Sequence, residues 1–142
     1  MARGQRVLEF RIPSDVQCIE RVVEAVRGEC RRLAYAEHQL SLNVPVALTE
    51  AISNAILRGN AQDERKSVVV VARVDAARLV IEVSDQGSGF DLVACTRDPT
   101  TPEALESEDG RGLFLMRKLM DEVERVSKRG RNVVRMTLRR AG

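Results

Sequence analysis

Two apolar, β-branched runs separated by a very short connection constrain this fold more than any other feature. The runs occupy residues 68–74 and 78–83, and only Asp75, Ala76 and Ala77 stand between them. Such a connection allows a tight turn, but it is far too short for the crossover that joins parallel neighbours. The pair therefore predicts an antiparallel hairpin and argues against a doubly wound parallel sheet.

The chain before the hairpin predicts one strand and one helix. Residues 7–12 alternate between apolar and polar side chains, as in a strand, and Pro13 follows them. Apolar residues then recur at helical spacing from 16 to 33. Gly28 interrupts this helix, and we expect it to be tolerated because another helix packs close to it.

Two further helices and a closing strand complete the predicted elements. Asn43 followed by Pro45 predicts a helix start, and Gly59 predicts its end. Apolar spacing predicts a third helix over residues 112–123, and residues 133–138 read as the last strand. About three helices against at least four strands give the fold class α/β (α+β), a two-layer sandwich with a mixed, mostly antiparallel sheet.

Composition excludes several classes of function. The 142 residues, 44% of them hydrophobic, suit a single soluble domain spanning 1–142. Aromatic residues are only 3%, which disfavours a base-stacking nucleic-acid platform. One His and three Cys without a CxxC pair make a zinc site implausible, and the unpaired thiols fit a reducing cytosol. We see no uncharged run of membrane-spanning length.

A polar row on the second predicted helix is the first candidate site. Glu50, Asn54 and Arg58 are spaced i, i+4 and i+8, so they stack along one face, opposite the apolar stripe. Carboxylate and amide oxygens suit a magnesium ion, and a guanidinium suits a phosphate. By spacing alone, an exposed helix face with ordinary charge pairing explains the row equally well.

Two glycine-containing stretches are the other candidates. The sequence Gly110-Arg111-Gly112-Leu113 stands at a helix start, where free amides attract phosphate, although a plain helix entry fits too. The stretch SDQGSGFD follows the hairpin and contains Asp85, Gly87 and Gly89. Its glycines occupy the ligand positions of a calcium loop, which excludes calcium. A tight turn, or a pocket in which Asp85 accepts from the amine of a flat base, remains open.

The order of these motifs closely resembles that of a known superfamily. The GHKL ATPases carry the same three boxes in the same order, here Glu50-x-x-x-Asn54, then Asp85-x-Gly87-x-Gly89, then Gly110-x-Gly112-Leu113. Within that superfamily, the chain is most similar to the anti-sigma factor serine/threonine kinases. The resemblance implies a Bergerat fold, in which helices cover one face of the sheet, and it implies ATP with Mg²⁺.

The resemblance also implies how the nucleotide is held. Asn54 would hold magnesium, and Asp85 would bind the adenine amine in a pocket shaped by Gly87 and Gly89. Residues 92–109 would form an ATP lid. The amides from Gly110 through Arg111 and Gly112 to Leu113 would take the phosphates.

The same resemblance implies a catalytic base and shows two departures. Glu50 would accept the proton of a protein serine hydroxyl as it attacks the γ-phosphate. Family members often have His where Arg58 stands, so Arg58 is carried over only as a nucleotide contact. They also have a Gly-Thr pair where this chain has Arg131 and Asn132, and Asn132 is carried over as an adenine-side contact.

The implied function is a partner switch. The protein would sequester a sigma factor and phosphorylate an STAS-domain anti-anti-sigma protein, acting in the bacterial cytoplasm without binding nucleic acid or membranes directly. A homodimer through the first strand and first helix is expected. The alternative is a nucleotide-gated regulator that binds its partner without transferring phosphate, in this or another signalling system.

Overall fold

Five strands and three helices make up the described part of the chain. The structure is a computed structural model, and it describes residues 4–59, 65–85, 108–128 and 131–141. The strands are β1 (Arg6–Pro13), β2 (Ser67–Val74), β3 (Arg78–Ser84), β4 (Glu122–Lys128) and β5 (Arg131–Arg139). The helices are α1 (Ile19–Arg32), α2 (Val44–Asn54) and α3 (Glu108–Leu119).

The strands form one sheet in the order β1-β2-β3-β5-β4, and each described pairing is antiparallel. The predicted hairpin is confirmed, because β2 pairs with β3 directly across the turn, Val74 opposite Leu79. The Asp75 carboxylate closes that turn by accepting from the amides of Ala77 at 2.8 Å and Arg78 at 2.9 Å. A side chain that satisfies turn amides in this way explains why three residues suffice.

One face of the sheet forms the core with the helices. Alternate residues of β2 and β3 point into it, and they are joined there by the apolar sides of α1, α2 and α3. The largest fully buried side chains are Leu48, Ile52, Ile56, Leu79, Ile81, Met116 and Met136. The predicted two-layer α+β sandwich is therefore confirmed.

The opposite face of the sheet carries a row of ion pairs across four strands. Arg73 contacts Glu82 at 2.9 Å, and the other carboxylate oxygen of Glu82 meets Arg135 at 3.2 Å. Arg135 in turn meets Glu124 at 3.5 Å. Partly exposed pairs contribute little stability each. Their partial exposure shows that no described helix covers this face of the sheet.

Helix α1 follows the predicted pattern except at Gly28. Asp15 caps the short turn before the helix by accepting from the amide of Gln17 at 2.9 Å. Gly28 is exposed, and a methyl group added there would have nothing within 4 Å among the described atoms. The expectation that another helix packs close to Gly28 is wrong.

The second helix begins earlier than predicted. A π-helical turn, Gln39–Asn43, leads directly into α2, so Asn43 has helical backbone angles and makes no capping hydrogen bond. Pro45 has no amide hydrogen, and in a regular helix its ring would meet the carbonyl of Ser41. The wider turn before Pro45 relieves that conflict, because it changes the hydrogen-bonding step. Pro45 therefore marks a joint in a helix rather than a start.

The helical run Gln39–Leu57, which contains the π-helical turn and α2, is apolar enough to be compared with a membrane-spanning helix. Gln39–Leu57 has a mean hydropathy of 1.3, and by length and composition alone it could cross a membrane. Its apolar residues are instead the centre of the core: Val44, Leu48 and Ile52 are completely buried against the sheet and the other helices. A buried core helix of this kind also meets these criteria of length and composition.

The third helix is displaced from its predicted position, and a strand was missed. Helix α3 spans Glu108–Leu119, and Glu122–Lys128 forms β4. Asp121 separates them, since its amide donates to Thr137 and its carboxylate accepts from the amide of Arg139. Val123 fits the helical spacing as well as the strand alternation, so the sequence pattern extends the helix too far.

Replacing Gly28 with Ala should stabilise the fold. Glycine in an exposed helix interior costs about 0.5–1 kcal/mol relative to alanine, and the open space at this position accepts a methyl group. We expect Gly28→Ala to raise the free energy of unfolding by that amount in urea denaturation. Gly4→Ala is the control, because Gly4 has a φ of +83° that alanine adopts only with strain. Equal or lower stability of Gly28→Ala would contradict the open environment.

Asp75 should make stability depend on acid pH. The backbone amides of Arg78 and then Ala77 lower its pKa below the ordinary 3.8. A lowered pKa means that the stabilisation is complete above that value and is lost as the pH falls through the folded-state pKa. Between about pH 6 and pH 3 the wild type should lose more stability than Asp75→Asn, which keeps an acceptor oxygen but cannot titrate. Parallel urea-unfolding profiles for the two proteins would contradict this assignment.

Candidate functional site

The ends of four elements meet at one end of the sheet. Strand β3 finishes at Ser84, which pairs with Val133 near the start of β5. The partner of Ser84 on the other side is Val69, near the start of β2, and β2 is the strand that follows the second helix. The end of the helical run and the tip of β3 are therefore placed at the same end of the sheet.

Helix α2 runs towards this end of the sheet, and α3 runs away from it. Gln39 ties the beginning of the helical run to the far end of β5, where its Nε2 donates to the carbonyl of Arg139 at 2.7 Å. The end of α3 is tied to the same far end through Asp121 and Thr137. Helix α2 therefore runs towards the site with Asn54 at its end, and α3 starts at the site.

Asp85 is a buried carboxylate at the tip of β3. It is 6% exposed, and its amide donates to the carbonyl of Asn132 at 3.1 Å. The Nδ2 of Asn132 donates to Oδ1 of Asp85 at 3.4 Å. The two residues that the sequence places on the adenine side therefore touch, and backbone and side chain both hold them together. A carboxylate so placed can accept a hydrogen bond from a bound amine.

Glu50 and Asn54 lie one turn apart on α2, both partly buried. The Nδ2 of Asn54 is completely buried and has no hydrogen-bond partner within the described residues. A buried, unsatisfied amide donor is costly, so it marks a place where an acceptor such as a phosphate oxygen can complete the bonding. The described residues contain no cluster of three or more His, Cys, Asp or Glu.

The glycine-rich stretch lies in the first turns of α3. The helix begins at Glu108, so Gly110 is among the four leading amides that lack an intrahelical acceptor. Gly112 and Leu113 lie further along the same helix. The end of the predicted lid, residues 108–109, is helical as well. A helix start is a favourable place for phosphate, and this role of the stretch stays a prediction.

Several predicted site residues lie outside what the structure describes. Gly87, Gly89 and residues 92–107 of the lid are among them. The backbone of Arg58 belongs to a second π-helical turn, Ala55–Gly59, which extends α2. Nothing is assigned to the side chains of Arg58 and Arg111.

The other reactive side chains of the described region are not part of this site. Cys30 is completely buried in the core, and burial, with a smaller effect of Glu29, raises its pKa to about 12. A thiol in that state is not a nucleophile. His38 is exposed near the far end of the sheet, which agrees with the surface role expected of it.

A sheet covered by helices on one face, with these motifs gathered at one end, is the arrangement of a Bergerat-type ATPase domain. Comparison with protein families agrees: residues 12–138 match the family described as the histidine kinase-like ATPase domain. The match covers most of the chain, and the chain belongs to this family. ATP use follows from that membership.

Curated relatives include kinases that act on serine. The chain is 32% identical to the serine-protein kinase RsbW of Bacillus velezensis over 135 residues, which cover 92% of this chain and 84% of the relative. It is 30% identical to the RsbW of Bacillus subtilis over 128 residues, covering 87% and 79%. An anti-sigma F factor of Clostridium perfringens is 31% identical over 90 residues, covering 63% and 64%.

A solved structure supports the fold. The crystal structure of the RsbU and RsbW domains of Rv1364c from Mycobacterium tuberculosis matches with a TM-score of 0.68 and 17% identity. The match covers 95% of this chain and 32% of that longer chain. At this identity the match shows the shared fold alone.

Sequence reasoning missed one polar residue that belongs to the architecture of the site. Asn43 was interpreted as a helix start, but its Nδ2 donates to the carbonyl of Leu119, the last residue of α3, at 2.7 Å. An Asn two residues before a Pro predicts a helix cap. No local sequence pattern indicates that its hydrogen-bond partner lies 76 residues further along the chain.

Replacing Asp85 with Asn should weaken ATP binding. Asn132 already donates to one oxygen of Asp85, so the new amide must point its NH₂ either at that donor or at the adenine amine. In either orientation the NH₂ group faces another hydrogen-bond donor, and both donors are left without an acceptor in a buried place. We expect the affinity for ATP to fall by about tenfold or more in calorimetric titration.

Asp75→Asn is the matched control, because it makes the same change at the opposite end of β3. It should bind ATP as the wild type does. Wild-type affinity in Asp85→Asn would show that the adenine assignment is wrong.

Proposed function

We propose that this protein is an anti-sigma factor with ATP-dependent serine/threonine kinase activity. It sequesters a sigma factor and phosphorylates an STAS-domain anti-anti-sigma protein, so that phosphorylation decides which partner is bound. The observation that carries the proposal is the convergence of Glu50, Asn54, Asp85 and the start of α3 at one end of the sheet. The names of the serine-protein kinase relatives support the reaction, and that of the anti-sigma F factor supports the partner.

In this proposal the nucleotide is held at both of its ends. Asp85 accepts the adenine amine while Asn132 holds the carboxylate in place. The Oδ1 of Asn54 would hold a magnesium ion, which would neutralise charge on the phosphates, and the leading amides of α3 around Gly110 receive phosphate oxygens. ATP supplies the γ-phosphoryl group. The buried Nδ2 of Asn54, which has no partner among the described residues, favours an acceptor such as a phosphate oxygen beside this position.

Glu50 is the proposed general base. It lies one helical turn before Asn54, so its carboxylate is on the same face as the metal ligand. From there it accepts the proton of the substrate serine hydroxyl as that oxygen attacks the phosphorus. Phosphoryl transfer needs mainly positioning and charge neutralisation, and the rigid helix that carries the two side chains supplies the positioning.

The remaining features of the proposal concern assembly. The chain acts as a single domain, with residues 92–109 closing over the nucleotide, and it works in the cytoplasm without binding DNA or a membrane. It forms a homodimer through β1 and α1. In support, β1 lies at the edge of the sheet with one side unpaired among the described strands, and Val7 on it is 57% exposed.

Replacing Glu50 with Gln should separate catalysis from binding. The amide keeps the size of the side chain but cannot accept the proton, and a positioned base contributes about 10²–10⁴-fold to rate. We expect phosphate transfer from γ-labelled ATP to the STAS protein to fall by about a hundredfold or more, with ATP affinity unchanged.

The matched control is Glu37→Gln, an exposed residue at the opposite end of the same helical run. It should transfer phosphate at the wild-type rate. Equal loss of ATP binding and transfer in Glu50→Gln would point to a structural or metal role. A wild type that binds ATP and its partner but transfers no phosphate would favour the nucleotide-gated regulator instead.

A further inference from the structure

We propose that Asn43 is a positioning residue that sets the axial register between α2 and α3. Through this register the catalytic carboxylate and the metal ligand on α2 are brought level with the phosphate-binding start of α3. The inference rests on the proposed function for its kinetic consequence, but its structural consequence can be measured without any phosphate transfer.

The contact is a direct, short hydrogen bond between two helices. The Nδ2 of Asn43 donates to the carbonyl of Leu119 at 2.7 Å. Leu119 is the last residue of α3, where carbonyls have no intrahelical donor. Asn43 itself makes no cap on its own helix. Its side chain therefore terminates the neighbouring helix instead of its own.

Equal lengths of helix connect this contact to the site. From Asn43 to Asn54 is 54 − 43 = 11 residues, and from Leu119 back to Glu108 is 119 − 108 = 11 residues. At 1.5 Å per residue, both segments span about 16 Å. Because α2 and α3 run in opposite directions and pack together, the metal ligand and the start of α3 reach the same level. Glu50, one turn back, is level with the second turn of α3.

The other ties at this end do not set the register directly. Gln39 joins the helical run to β5 through the carbonyl of Arg139, and Asp121 joins the end of α3 to β5 through Thr137. Each holds one helix to the sheet. Among the described residues, the Asn43 bond is the hydrogen bond that joins the helical run of α2 to α3, and with the packing of the apolar side chains it opposes sliding of one helix along the other.

The energetics favour a directional role over a stabilising one. The Oδ1 of Asn43 is completely buried and has no partner within the described residues. An unsatisfied buried acceptor offsets much of what a neutral hydrogen bond contributes. An apolar side chain of similar size also removes the unsatisfied Oδ1, and this offsets part of the cost of leaving the carbonyl of Leu119 without its donor. Loss of the amide should therefore harm the alignment of the helices more than it harms folding.

The experiment compares Asn43→Leu with the wild type in phosphate transfer to the STAS protein. Misplacement of reacting groups by about 1 Å costs up to about a hundredfold in rate, so we expect kcat to fall by about tenfold or more. The affinity for adenosine, which has no phosphates and is held by the Asp85 side, should not change, and neither should the urea midpoint. Unchanged kcat, or a loss that merely follows a loss of folded protein, would overturn the inference.

Ser41→Ala is the matched control for a hydrogen bond in the same π-helical turn. The Oγ of Ser41 donates to the carbonyl of Glu37 at 2.9 Å, so its bond stays within one helix and does not reach α3. It should transfer phosphate within about twofold of the wild type. A loss as large as that of Asn43→Leu would mean that the turn matters and the link to α3 does not.

Hydrogen exchange gives a readout that does not depend on phosphate transfer. In Asn43→Leu the amides near the end of α3, including that of Met120, should exchange faster than in Ser41→Ala, because the carbonyl of Leu119 in the last turn has lost its cross-helix donor. Unchanged exchange would overturn the register role even if the kinase activity is confirmed. Faster exchange in a protein that transfers no phosphate would retain the register role while the proposed function fails.

Discussion

The antiparallel pairing of β3 with β5 is the constraint on which the rest of the structure depends. It runs from Arg78 opposite Arg139 to Ser84 opposite Val133, joining the middle of the chain to its end. At one end of this pairing Asp85 meets Asn132, so the buried carboxylate is placed by the sheet itself. At the other end the last residues of β5 anchor the helices that carry the remaining site residues.

The layer of helices then turns one sheet into a site. Helices α2 and α3 are both tied to the far end of β5 and run in opposite directions, so the end of one and the start of the other point to the end of the sheet that carries Asp85. The residues proposed as base, metal ligand and phosphate-binding amides are thereby distributed over two helices, and the proposed adenine contact stands at a strand tip. The ion pairs of Glu82 occupy the opposite face of the sheet, away from this chemistry.

Much of this architecture could be predicted from local pattern. The hairpin followed from two β-branched runs and a short turn, and the spacing of Glu50 and Asn54 put them on one helical face. The pattern was misleading where one residue fitted both the helical and the strand spacing, as Val123 did when the predicted helix was extended into the first residues of β4. It was also misleading at Pro45, because a proline in a first turn and a proline behind a π-helical turn look the same in sequence.

By itself the sequence determined which chemical groups the protein has and in what order, because spacing along a helix and the residues of a turn are local properties. Only the tertiary structure decided which groups meet. The Asp85–Asn132 contact joins residues 47 apart, and the Asn43–Leu119 contact joins residues 76 apart. Such pairs depend on strand register and helix direction, which result from burial of the whole apolar face and have no signature in either segment alone.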